Sequence, residues 1–182
     1  PALSPSVIRL CTPLRRIIQR RQYRIDSVEV DGMDRLTALL DQSAGVMITP
    51  NHVCYPDPFL LAEAASQCGQ PFYFMTAWQV FGTASWIQRE VLRRIGCFSV
   101  DREGNDVRAF RTAVEILKSK PNPLVVFPEG EMYHTNDLIM PFHEGAARML
   151  LTAASRSDRP VACLPAALRY DCLLYTSDAA DD

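Results

Sequence analysis

Apolar residues along this chain fall into short unbroken runs that alternate with stretches of helical spacing. Val46, Met47 and Ile48 form one such run, ending at Pro50, as a buried strand does when a proline closes it. Asp57 and Pro58 then read as a helix start. Leu60, Leu61, Ala64 and Ala65 supply its apolar positions, and Gly69 before Pro71 supplies the stop. The alternation repeats: residues 72–75 read as strand, 86–95 as helix with Arg89, Arg93 and Arg94 exposed, and 97–100 as strand. Val107, Phe110, Val114 and Leu117 keep helical spacing, after which Pro121 and Pro123 introduce a strand over 124–127. Residues 145–154 read as a further helix and 161–164 as a strand. Repeated strand and helix predict an α/β layered sandwich with a largely parallel central sheet flanked by helices.

The two ends depart from this pattern. Thr12 and Pro13 read as the N-cap and first position of a short helix that places Leu14, Ile17 and Ile18 on one face. Arg9, Arg15, Arg16, Arg20, Arg21 and Arg24 surround them, and no acid occurs before residue 25. Because the whole chain is net −2, a basic arm sits on an acidic body, a distribution that suits an anionic surface such as phospholipid or nucleic acid. The helix either lies in a membrane interface or packs on the domain with its arginines solvated. At the other end, the string YTSDAADD is small and acidic and looks like translated adapter sequence. The expected layout is a basic amphipathic arm over 1–27, a body over 28–170 cut short at its C-terminus, and a disordered or non-native tail over 171–182. The start at Pro1, without methionine, leads us to expect missing upstream sequence.

Composition narrows the functional classes. A chain of 182 residues, 48% hydrophobic, is long enough to bury one real core without help from disulfides or metals. The six cysteines, Cys11, Cys54, Cys68, Cys97, Cys163 and Cys172, lack CxxC spacing, which argues against zinc and suits a reducing compartment. No run approaches the roughly 18 apolar residues of a membrane span, so membrane contact is expected to be peripheral.

The candidate chemistry lies at predicted strand ends, where parallel sheets bind their ligands. Within TPNHVCYPDP, His52 is suited to take a proton from a hydroxyl, and Asp57 to fix its tautomer. Helix capping by Asp57 beside a satisfied surface histidine explains the same pair without catalysis. Phe127, Pro128, Glu129 and Gly130 end the next apolar strand, with Gly130 allowing a tight turn and Glu129 an anionic acceptor. Arg102 follows the 97–100 strand and offers a guanidinium for a phosphate, or a solvated surface charge. Cys54 is read as a packing residue in preference to a nucleophile. His134 and His143 near Glu131 and Glu144 have no fixed geometry, so no metal is expected. Trp78, Phe81 and Trp86 suit either an acyl channel or ordinary core.

Taken together, the strand-end residues resemble the glycerolipid acyltransferase family, which includes the 1-acylglycerol-3-phosphate acyltransferases. The likeness spans about residues 28–168. It rests on Asn51, His52 and Asp57 as NHxxxxD, residues 96–102 as a second block, and Phe127, Pro128, Glu129 and Gly130 as FPEG, followed by Pro141, Phe142, Gly145 and Pro165. The resemblance implies a membrane-associated enzyme of phospholipid biosynthesis, peripheral on the cytoplasmic face of a membrane. It would move a fatty acyl group from acyl-CoA or acyl carrier protein to a lysolipid hydroxyl without a cofactor. His52 and Asp57 would be catalytic; Asn51, Arg102, Phe127, Pro128, Glu129 and Gly130 would bind substrate; backbone amides near Pro58 would stabilise the oxyanion. One departure stands out: the family often continues EGTR, whereas Glu131, Met132, Tyr133 and His134 follow Gly130 here. That leaves room for a different lipid or amino-acid lipid acceptor, or for a catalytically inactive lipid-binding homologue. No nucleic-acid motif accompanies the arginines, so no nucleic-acid partner is expected, and oligomeric state is open.

Overall fold

The computed structural model describes residues 1–101, 104 and 106–171; Arg102 and the tail beyond Asp171 lie outside the described residues. The chain runs α1 (Pro5–Arg21), α2 (Met33–Asp41), β1 (Gly45–Pro50), α3 (Asp57–Gln67), β2 (Tyr73–Ala77), α4 (Trp78–Thr83), α5 (Trp86–Arg94), β3 (Cys97–Val100), α6 (Val107–Ser119), β4 (Leu124–Val125), α7 (Glu144–Ser155) and β5 (Val161–Ala166). The five strands form one sheet in the order β3-β2-β4-β1-β5, and every neighbouring pair is parallel. The layered α/β architecture expected from the alternation is therefore the architecture observed.

Strand periodicity divides the core between the two faces of the sheet. Val46, Ile48 and Val125 point to a cluster with Leu36, Leu61, Ala65 and Phe72, which brings in α2 and α3. Met47, Leu124 and Val126 point the other way, toward Ala113, Leu117, Met149 and Ala153 of α6 and α7. Because β1 is buried on both faces, its sequence is a continuous apolar run with no alternation. With helices covering both faces, the C-terminal ends of adjacent strands β4, β1 and β5 are left to carry loops.

Besides the start of α3, helices α1, α2 and α4 differ from the sequence expectation. The first begins at Pro5 instead of Pro13, because Pro5 occupies a first-turn position and the preceding chain is anchored: Ala2 N donates to Arg93 O at 3.1 Å and Ser4 N to Arg94 O at 2.8 Å. Pro13 is then carried inside the helix. Helix α2 gave no start signal, since its cap is Gly32 at φ 71 with no side-chain bond, yet Leu36 is buried in the core. Helix α4 spans six residues and buries none of them.

Helix α1 is docked by its polar side. Arg15 Nη2 and Arg16 Nη2 hold Glu63 of α3 at 2.5 and 2.8 Å, Arg15 Nη1 donates to Phe59 O at 3.1 Å, and Gln19 is buried. Burial alone would raise the Glu63 carboxyl, but bonds from Arg16 and Arg15 outweigh it and hold it below the usual value. Leu10, Leu14 and Ile17 stay exposed on the helix surface.

One glycine joins the sheet to α6 with no space to spare. A Cβ on Gly45 would lie 1.9 Å from Leu117 O, the same carbonyl that accepts Arg159 Nη2 at 2.7 Å. We predict that Gly45→Ala destabilises the protein by at least about 1–3 kcal/mol, because the clash is with backbone and cannot be relieved by a rotamer. Urea unfolding of the variant against wild type measures this, and an unchanged midpoint contradicts it.

Candidate active site

His52 stands two residues beyond β1, on a loop that returns through Cys54 into the first turn of α3. Asp57 N donates to Cys54 O at 3.1 Å, closing that turn, and Pro56 is the residue that caps the helix. Asp57 is therefore the first helical residue and makes no capping bond, a correction to its reading as the cap before Pro58. Its side chain is fully buried, and burial of a carboxylate requires donors. Oδ2 lies 2.8 Å from His52 Nδ1 and accepts from Cys54 N at 3.0 Å. Oδ1 accepts from the Tyr170 hydroxyl at 2.5 Å and from Cys54 Sγ at 3.7 Å.

An ionised carboxylate only accepts, so this geometry puts the imidazole proton on Nδ1 and leaves Nε2 as the basic nitrogen. The His52 side chain keeps 19% of its surface exposed, enough for a substrate to reach it. Phe127 stacks on the ring at a centroid distance of 4.1 Å and a tilt of 22°, fixing the imidazole plane.

Glu129, from the loop after β4, is buried. Its Oε1 accepts from His52 N at 3.1 Å and its Oε2 from Met140 N at 3.4 Å. Both oxygens thus hold backbone, binding the histidine loop to the segment that follows FPEG. Pro128 O accepts from His143 N at 2.8 Å. Gly130 adopts φ +71, and a Cβ there would lie 2.6 Å from the His143 ring, so this turn requires glycine. His134 N donates to Val53 O at 3.0 Å. Asn51 is buried and engaged at both ends of its amide: Nδ2 donates to Leu168 O at 3.1 Å, and Oδ1 accepts from Leu168 N at 2.6 Å.

The structure thus brings together Asn51, His52, Asp57, Phe127, Pro128, Glu129 and Gly130, while Arg102 falls outside the described residues. Asn51 and Glu129, read from sequence as substrate-binding, direct their side-chain hydrogen bonds to backbone and hold the histidine loop in place. The N–H groups of Cys54, Asp57 and Phe59, near the start of α3, all have intramolecular acceptors. Tyr170 was not found from sequence, where a tyrosine beyond the last strand carries no motif. Cys54 is half-buried, and its thiol is pushed up chiefly by burial, with a bond from Tyr170 opposing and the Asp57 charge adding to the rise. A thiol held protonated is a poor nucleophile. Trp78 and Trp86 are surface residues and not core. A cavity of about 440 Å³ beside edge strand β3 is lined by Trp78, Phe81, Arg89, Arg93 and Arg108, with no member of the His52 cluster.

A family model described as "Acyltransferase" matches residues 27–168, which contain His52, Asp57 and Glu129. A comparison with curated proteins finds no match.

Two substitutions separate the roles in this cluster. Asp57→Asn is expected to destabilise by about 1–3 kcal/mol, because one amide oxygen replaces two carboxylate oxygens and leaves a buried donor without an acceptor. Retention of full stability in thermal unfolding contradicts the bonding pattern. Cys54→Ser is expected to keep most activity, since its backbone N–H still reaches Asp57 and the thiol it replaces is held protonated. An acyl thioester trapped on wild-type Cys54, with loss of turnover in the serine variant, reverses that assignment.

Proposed function

The chain belongs to the acyltransferase family, and from that premise we propose that it moves a fatty acyl group from a thioester to a lysolipid hydroxyl, with His52 as general base. The observation that carries this reading is the 2.8 Å contact between His52 Nδ1 and the buried Asp57 carboxylate, which leaves Nε2 for a substrate proton. In the proposed step, Nε2 takes the hydroxyl proton as the oxygen attacks the thioester carbonyl. The C–S bond then breaks, and the leaving thiolate takes the proton back from the imidazolium. Asp57 stays ionised and supports that imidazolium. No covalent acyl-enzyme and no cofactor enter the sequence of steps.

The proposed donor is acyl-CoA or acyl carrier protein, since both present the same thioester. The proposed acceptor is a lysophospholipid such as 1-acylglycerol-3-phosphate, with Arg102 as the phosphate ligand, placing the reaction in phospholipid biosynthesis. Glu131 favours a second reading, an acceptor without a phosphate at that position such as an amino-acid lipid, because its charge repels an anion. We place the protein peripherally on the cytoplasmic face of a membrane. No helix among the described residues is long and apolar enough to cross one, and α1 carries exposed Leu10, Leu14 and Ile17 among arginines.

His52→Ala is expected to lower acyl transfer by about 100 to 10,000-fold, the usual contribution of a general base, while the protein stays folded. Initial rates with acyl-CoA and several lysolipids, measured beside thermal unfolding, test this. Near-wild-type turnover in a folded variant sinks the mechanism.

A further inference from the structure

The loop after β5 ends its path at Asp57. Leu168 is tied to Asn51 by the two-way amide pair already described, and Tyr170 is tied in the same manner to Asn136. Asn136 Nδ2 donates to Tyr170 O at 2.9 Å, and Tyr170 N donates to Asn136 Oδ1 at 2.8 Å. Each asparagine presents a donor and an acceptor to one residue's backbone, as a neighbouring strand would. One clamp comes from the histidine loop and the other from the segment after FPEG. Between them the position of residue 170 is fixed from two sides, and its hydroxyl meets Asp57 Oδ1 at 2.5 Å.

We propose that Tyr170 is a positioning residue for the His52–Asp57 pair, with its hydroxyl holding the far oxygen of Asp57 so that the near oxygen faces His52 Nδ1. Its consequence for catalysis rests on the acyl-transfer reading above; its effect on the imidazole does not. A hydroxyl that donates to a carboxylate withdraws charge from it and favours one orientation of its plane. Burial, followed by the bond to Asp57, raises the tyrosine far above its ordinary value, so it remains a donor throughout the working pH range. Without that hydroxyl, Oδ1 keeps a thiol at 3.7 Å as its donor, and more of the negative charge is left to the imidazole.

Among the described residues, Asp57 and Cys54 share the His52 loop, Glu129 accepts its backbone N–H, Tyr133 N donates to its carbonyl at 3.4 Å, His143 packs against Gly130, and His134 is bonded to Val53. Tyr170→Phe removes one oxygen, taking a donor from Asp57 and a bond from Cys54 while leaving the contacts of Glu129, His143 and His134 in place. The greater charge left on Asp57 favours imidazolium, so the His52 ring should titrate at higher pH in the variant than in wild type.

The test compares the full chain with its Tyr170→Phe and Asn136→Ala variants, each checked for folding by thermal unfolding. Histidine ring resonances are followed by NMR across pH, with His52 assigned by its loss in His52→Ala. Expected are a higher titration midpoint for His52 in both variants, no further rise when the two are combined, and a kcat lowered about tenfold at unchanged KM with its acid limb moved to higher pH. A folded Tyr170→Phe with an unmoved His52 midpoint overturns the proposal, and if that variant does not fold, an unmoved midpoint in Asn136→Ala does so. Absence of turnover in wild type with every acceptor refutes the acyl-transfer reading, while the NMR comparison decides the role of Tyr170 by itself.

Discussion

A carboxylate taken wholly out of water loses its solvent partners and must find donors inside the fold, or it will not remain ionised. Asp57 is in that position, and its donors are two near neighbours in sequence, the ring of His52 and the backbone of Cys54, and one distant group, the hydroxyl of Tyr170. Satisfying this one charge requires the loop after β1, the first turn of α3 and the segment after β5 to converge. A second buried carboxylate, Glu129, repeats the arrangement one strand over, with backbone N–H groups of His52 and Met140 as its donors. The two acids hold the imidazole loop from opposite sides, one through its ring and one through its backbone.

Sheet order makes this convergence possible. β1 lies between β4 and β5, so loops leaving the same end of three parallel strands are neighbours although β4 and β5 lie far along the chain. The apolar packing of α2 and α3 on one face and of α6 and α7 on the other leaves that end open, and the polar residues gather where the sheet runs out. Rigid strands then fix loop residues that would otherwise be mobile, as general base chemistry needs.

How much of this was readable from sequence follows from the range of each interaction. β1 was legible because a strand buried on both faces of a parallel sheet is written as a compact apolar run, and β3 was legible at its limits although it is an edge strand with only Cys97 and Phe98 buried. His52, Asp57 and Glu129 were legible because their motifs are local, and the sheet needed only to bring the pieces together. The role of Asp57 was harder to read. An aspartate before proline signals a helix cap, yet the carboxylate turns toward His52 while Pro56 caps. Tyr170 left no signal at all, since its partner lies 113 residues away and a single hydroxyl has no pattern in sequence. Helix α2 was hidden by its αL glycine cap and α4 by its lack of any buried face.

Everything proposed for the site rests on which nitrogen of His52 carries the proton at neutral pH. Long-range proton–nitrogen correlation NMR on protein labelled with ¹⁵N-histidine reads this directly. With Asp57 accepting from Nδ1, the neutral ring is expected to carry its proton on Nδ1, leaving Nε2 unprotonated and available. A neutral ring protonated at Nε2 would mean that Asp57 does not hold the imidazole as a base, and would overturn the proposed role of His52.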